Sequence, residues 1–176
     1  MPNEPNDDVL LGYIEPYHAA KILQAISAYA HLEYEIDEMI WGLAGVEPEI
    51  GACLTAQFVA IVPRLDALVS LAHAQHVSDQ HIRKLNKLRE SIQALSPKRN
   101  RLAHDPWFFA HQTKKLYRLE KTARAKLVHN YTPVTEGELK AYEDEIIDVT
   151  SRFRDLRSEI LQAFWSSPYR APGESA

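Results

Sequence analysis

Cysteine is nearly absent. The lone Cys53 cannot form an internal disulfide, and no Cys/His spacing resembles a zinc site. Glycine is also scarce, with six residues, and none is grouped as a phosphate-cradling loop requires. No apolar run approaches the ~20 residues a bilayer-spanning helix needs. The start, Met1-Pro2-Asn3-Glu4-Pro5-Asn6-Asp7-Asp8, is acidic and turn-rich, the opposite of a signal peptide. Neither a Ser/His/Asp arrangement nor paired glycosidase-like carboxylates can be found, and there is no internal repeat or low-complexity segment. These absences predict a cytoplasmic, bacterial-type protein without membrane association, metal or cofactor.

What is present is an ordinary amount of hydrophobic sequence, 45% over 176 residues, enough for one domain with a real core. Charge is distributed unevenly. From His81 to Tyr131 thirteen Lys/Arg face three acids, a balance of +10; elsewhere seven face twenty-one, a balance of −14, within a net charge of −4. A basic block of that kind points to a polyanionic partner, nucleic acid first. Equally, the acidic flanking segments can fold against the block and neutralise it.

Periodicity predicts an all-α antiparallel bundle of four to five helices, interrupted by a small β-hairpin near 115–131. Residues 1–14 read as a loose arm, 15–165 as one helical domain and 166–176 as a loose tail. In the first helix, Pro16 to Leu43, Ile22, Ile26, Tyr29, Leu32, Ile36, Met39 and Leu43 form one stripe, closed by Gly42, Gly45 and Pro48. Glu33 and Asp37 flank that stripe one turn apart; they could orient a cation of the central site, but such carboxylates are more often solvated or paired with a neighbouring helix. A second helix is expected over Glu49–Gln75, kinked or broken at Pro63, with Leu54, Phe58, Ile61, Leu65, Leu68 and Ala72 inward. His73 and His76 at its end read as capping or surface residues. Ser78 offers an N-cap to a third helix, striped by Ile82, Leu85, Leu88, Ile92 and Leu95. Lys115–Glu120 and Ala125–Tyr131 read as strands around a turn at Lys121–Arg124. Thr135-Glu136-Gly137-Glu138 is a capping box that opens a last helix striped from Leu139 to Ala163.

The densest chemistry lies in Ser96-Pro97-Lys98-Arg99-Asn100-Arg101-Leu102-Ala103-His104-Asp105-Pro106-Trp107. Ser96 and Pro97 read as the N-cap and first position of a short helix, and Pro106 as its stop. Asn100 and His104 share a face, with Arg101 close by. An imidazole moves a proton near neutral pH and a guanidinium grips phosphate through paired hydrogen bonds, so the pairing suits phosphoryl chemistry. The following Trp107, Phe108, Phe109 and His111 could stack on unpaired bases, although aromatics beside a helix end more often pack.

Arg99-Asn100-Arg101-Leu102-Ala103-His104 resembles the signature of the HEPN superfamily, an Arg often followed by Asn, with a His four to six residues on. The downstream hairpin and Asp105-Pro106-Trp107 resemble a bacterial branch of that superfamily largely without assigned function. The resemblance implies a homodimer with two motifs facing each other, and in active members a metal-independent endoribonuclease. Others of the superfamily bind RNA, nucleotides or a protein partner, including antitoxin-like partners. Carried across, Arg99 would stabilise phosphorane charge, His104 would act as general acid/base, and Asn100 would orient the histidine or the phosphate. Arg101, Lys98 and Trp107 would be added RNA contacts. Where some toxin members carry a modifiable Tyr, two residues after the His, this chain has Pro106. Catalysis, binding without cleavage, and a structural or interaction role all remain open readings of these residues.

Overall fold

The computed structural model describes residues 10–122 and 128–166. Most of the expected arm and tail, and residues 123–127 of the expected hairpin, lie outside these. The described chain has five helices and a small four-stranded antiparallel sheet, so it is mostly helical with a minor β insertion, as the periodicity predicts. No helix among the described residues is long and apolar enough to cross a membrane. The chain divides into two compact units, Met1–Ala30 with Leu95–Ile147, and His31–Ala94 with Asp148–Ala176.

The first unit holds the sheet, the start of α1 (Pro16–Ala44), the end of α4 (Asp79–His104) and the start of α5 (Glu136–Trp165). The expected hairpin is present as β3 (Lys115–Thr122) and β4 (Val128–Val134), in register Leu116↔Val134 through Thr122↔Val128. Two further strands extend it. β2 (Trp107–Ala110) pairs with β3, placing Phe109 opposite Leu116, and β1 (Leu10–Leu11), from the expected loose arm, pairs with β2. Consecutive aromatics favour extended backbone, so Trp107-Phe108-Phe109 carried a strand signal that their nearness to the helix end obscured. Pro133 sits in β4, an edge strand, where the N–H that proline lacks is not needed by a further neighbour. The core of this unit buries Ile22, Tyr29, Leu95, Leu102, Phe109, Leu116, Leu139 and Ile146.

The capping box forms as expected. The backbone N–H of Thr135 donates to Glu138 Oε2 at 2.7 Å, and Glu138 N–H donates to Thr135 Oγ1 at 3.2 Å. The Thr135 backbone N–H and the Thr135 hydroxyl, which donates to Glu138 Oε2 at 2.8 Å, hold the Glu138 carboxyl below its ordinary value.

The second unit contains the rest of α1, α4 and α5 together with α2 (Pro48–Thr55) and α3 (Ile61–Ala74). Here the expected second helix is two, and the interruption is not at Pro63. The break falls at residues 56–60, and Pro63 sits in the first turn of α3, where its missing N–H has no intrahelical partner to lose. Leu54 is correspondingly outward, 55% exposed, whereas Ile61, Leu65, Leu68 and Ala72 are buried. Ala163, at the far end of the α5 stripe, is exposed as well, while Val149, Phe153, Leu156 and Ile160 are buried.

Helix α1 ends in a Schellman motif. Gly45 takes φ 67°, Gly45 N–H reaches Gly42 O and Val46 N–H reaches Trp41 O. The end of α3 repeats this with a histidine. His76 has φ 55°, and His76 N–H and Val77 N–H reach His73 O and Ala72 O. Glu33 and Asp37 are both met by one cation, Arg64, at 3.3 and 2.8 Å, so the neighbouring-helix reading holds. Burial nonetheless raises the Asp37 carboxyl above its ordinary value, against the lowering effect of Arg64.

Candidate functional site

The candidate residues lie on the last turns of α4, and the helix differs from its expected form. Ser96 and Pro97 do not start a short helix; α4 runs unbroken from Asp79 to His104 with Pro97 inside it. The physical reason is the apolar stripe. Leu95 and Leu102 are both buried and stand seven residues apart, two turns of the same face, so burial carries the helix past the proline. Pro97 itself is exposed, the side where a lost backbone bond is least costly.

The expected stop is where Pro106 puts it. Asp105 N–H still reaches Arg101 O at 3.1 Å, and α4 ends at His104. Trp107 then folds back, its indole N–H donating to Leu102 O at 3.1 Å. That bond satisfies one of the carbonyls a helix end leaves unpaired. Trp107 is half-buried in this role, Phe108 stacks edge-on against Tyr131 at 5.4 Å, and Phe109 is 2% exposed. The aromatic run is therefore largely committed to packing.

Arg99 is half-buried, with its guanidinium 5.7 Å from the centre of the Tyr29 ring. Its Nη1 donates to Asn100 Oδ1 at 3.1 Å. The carboxamide thus contacts the arginine directly. Asn100 and His104 are exposed, one turn apart, and His104 is the last residue of the helix.

The remaining cations have acidic company. Lys98 Nζ is 2.8 Å from Glu145 and 5.6 Å from the centre of the Tyr142 ring. Tyr142 is fixed by its hydroxyl, which donates to Leu95 O at 2.9 Å, and burial raises that hydroxyl above its ordinary value. Arg101 pairs with Glu120, which also receives Arg118 at 2.7 Å; Arg118 reaches Asp105 at 3.2 Å. Part of the basic block is therefore neutralised from within the fold. These pairs are not equivalent. Lys98 and Arg101 are each more than half exposed, and such pairs are worth about 0–1 kcal/mol. A polyanion can exchange them for phosphate contacts at little cost. Arg118, 13% exposed between two carboxylates, is a structural cation.

Sequence reasoning passed over Tyr29, Glu145 and Arg118 as partners of the site. Tyr29 is legible only as one member of an apolar stripe, and Glu145 and Arg118 only as charges on a helix and a strand. Among the described residues no group of three or more His, Cys, Asp or Glu is placed to hold a metal ion. No protein family, curated protein or solved structure matches the chain.

Proposed function

We propose that this chain is a metal-independent endoribonuclease that acts as a homodimer through Arg99, Asn100 and His104. The observation that carries this reading is the exposed imidazole ending α4, on the same two helical turns as a guanidinium held by Tyr29 and Asn100. In the reaction, an imidazole nitrogen removes the proton of a ribose 2′-hydroxyl, and that oxygen attacks the adjacent phosphorus. The bond to the 5′-oxygen breaks as that oxygen takes up a proton, leaving a 2′,3′-cyclic phosphate. Arg99 stabilises the charge that builds on the phosphorane. Proton transfer of this kind contributes roughly 10²–10⁴-fold. One imidazole cannot serve as base and acid in the same instant, which is why a second copy of the chain, bringing its own histidine, belongs to the proposal.

The test is incubation with single-stranded RNAs in excess EDTA, comparing wild type with His104→Ala and Arg99→Ala. Cleavage by wild type that both variants lose by 100-fold or more, roughly the lower bound for a proton-transfer group, is the expected result. Equal cleavage by all three, or none by wild type, overturns it.

A second reading has its own support in the exposed, exchangeable pairs of Lys98 and Arg101. In it the chain holds RNA without cutting it. Binding that falls steeply with salt, in a wild type that does not cleave, selects this reading.

A further inference from the structure

Ser78, His81 and Glu159, all in the second unit, form a continuous run of hydroxyl, imidazole and carboxylate. Ser78 Oγ lies 3.0 Å from His81 Nδ1, and His81 Nε2 lies 3.5 Å from Glu159 Oε2. The first contact is local, at the start of α4; the second joins α4 to α5 and leaves no trace in the sequence. Helix capping asks only that the hydroxyl accept a backbone N–H. Here that bond, from His81 N–H, is 3.4 Å long, and the imidazole stands closer to the hydroxyl than the backbone does. Ser78 is exposed, so a substrate can reach it. Lys84 Nζ, 2.7 Å from Glu159 Oε2, and to a lesser extent His81 hold the Glu159 carboxyl below its ordinary value, which keeps it ionised. An imidazole proton on Nε2 faces that carboxylate and leaves Nδ1 bare to accept from the hydroxyl. From the Lys84–Glu159 pair a groove of about 270 Å³ extends between α4 and α5, floored by Leu88 and Leu156 and edged by Lys87 and Arg152.

We propose that Ser78, His81 and Glu159 form a second reactive site, which hydrolyses small carboxylic esters with a short apolar acyl chain. Ser78 Oγ attacks the ester carbonyl carbon as its proton passes to His81 Nδ1. The bond from that carbon to the alcohol oxygen then breaks, and the imidazole returns the proton to the departing oxygen, leaving an acyl group on Ser78. Water, deprotonated by the same imidazole, releases the acid and restores the hydroxyl. Glu159 touches no reacting atom; it is a positioning residue that orients the imidazole and balances its charge. The N–H groups of Asp79 and Gln80, in the first turn of α4, have no intrahelical acceptor and are the donors nearest in the chain for the oxyanion. The reaction uses none of Arg99, Asn100 and His104, so it stands whether or not the chain cleaves RNA.

Incubation of the intact chain with p-nitrophenyl butyrate tests it, with release of nitrophenol followed by absorbance and the acylated residue located by mass spectrometry. Ser78→Asp keeps a good N-cap while removing the nucleophile, so α4 still starts where it does. Circular dichroism checks that it and the other variants fold. The expected result is a burst of nitrophenol with a butyryl group on Ser78, both absent in Ser78→Asp. His81→Gln should slow acylation about 100-fold or more, roughly the lower bound for a proton-transfer group. Glu159→Gln should lower kcat with little change in KM, as loss of support for the imidazole in the transition state does. His104→Ala should behave as wild type, which separates this site from the proposed nuclease. No acylation, acylation confined to lysine or histidine side chains, or a Ser78 adduct that forms as fast in His81→Gln as in wild type overturns the proposal; an unchanged kcat in Glu159→Gln overturns the role of the carboxylate.

Discussion

The guanidinium of Arg99 stands over the ring of Tyr29, 5.7 Å from its centre, and Tyr29 is 1% exposed. A long flexible cation is thereby anchored to a rigid element of the core. Cation–π contacts are worth roughly 0.5–2 kcal/mol, more when desolvated, as here on one side.

Replacing the ring tests whether that anchoring matters to the proposed chemistry. Tyr29→Phe keeps the π face, and its RNA cleavage should stay close to wild type. Tyr29→Leu removes the face and should slow cleavage about tenfold, the factor that corresponds to ~1.4 kcal/mol. The measurement is kcat on one RNA for both variants, with circular dichroism as the check on folding.

The capping box predicts both a magnitude and a pH dependence. Thr135→Ala removes the hydroxyl that accepts the Glu138 N–H and should cost about 1 kcal/mol in urea unfolding. The Glu138 carboxyl is lowered in the folded chain from an ordinary 4.5, chiefly by the Thr135 backbone bond. Its contribution is thus complete above pH 4.5 and is lost as pH falls through the folded value. The stability gap between wild type and Glu138→Ala should accordingly be widest near neutrality and shrink below pH 4.5.

Gly51 sets two opposing effects against each other. Alanine is the better helix former by about 1 kcal/mol. A Cβ at Gly51, however, would run into the Trp41 indole, whose Nε1–H is fixed by Thr55 Oγ1 at 3.2 Å. Overpacking typically costs about 1–3 kcal/mol, so the clash wins and Gly51→Ala should lower the urea midpoint. An altered tryptophan emission in the folded variant would accompany the loss.

His76 runs the other way. It occupies the left-handed region at φ 55°, in the position of the Schellman motif where Gly45 ends α1. A side chain there costs roughly 1–2 kcal/mol, so His76→Gly should stabilise the chain by about 1 kcal/mol in the same assay. A lower urea midpoint would show that the imidazole makes a stabilising contact outweighing the backbone strain.

The elements legible in the sequence are those whose cause is local. The stripe of α1, its close at Gly45, the Ser78 and Thr135 starts and the stop at Pro106 all depend on residues within a turn of one another. The strands β3 and β4 could be read from their residue types. The interruption between α2 and α3 was placed at Pro63, because a proline looks like a breaker wherever it stands; it falls at residues 56–60, and Pro63 sits in the first turn of α3. The same error, reversed, produced a helix start at Ser96–Pro97. Two well-formed local signals lost there to the burial of Leu95 and Leu102.

By itself, then, the amino-acid sequence determined the helical class and most helix ends, since each follows from contacts three or four positions apart. Tertiary structure alone decided the company that the candidate residues keep. Tyr29 beneath Arg99, Glu145 beside Lys98 and β1 against β2 join positions 47 to 100 apart in the chain. No local propensity encodes such a meeting; it exists only because burying the separate apolar faces brings distant segments to the same place.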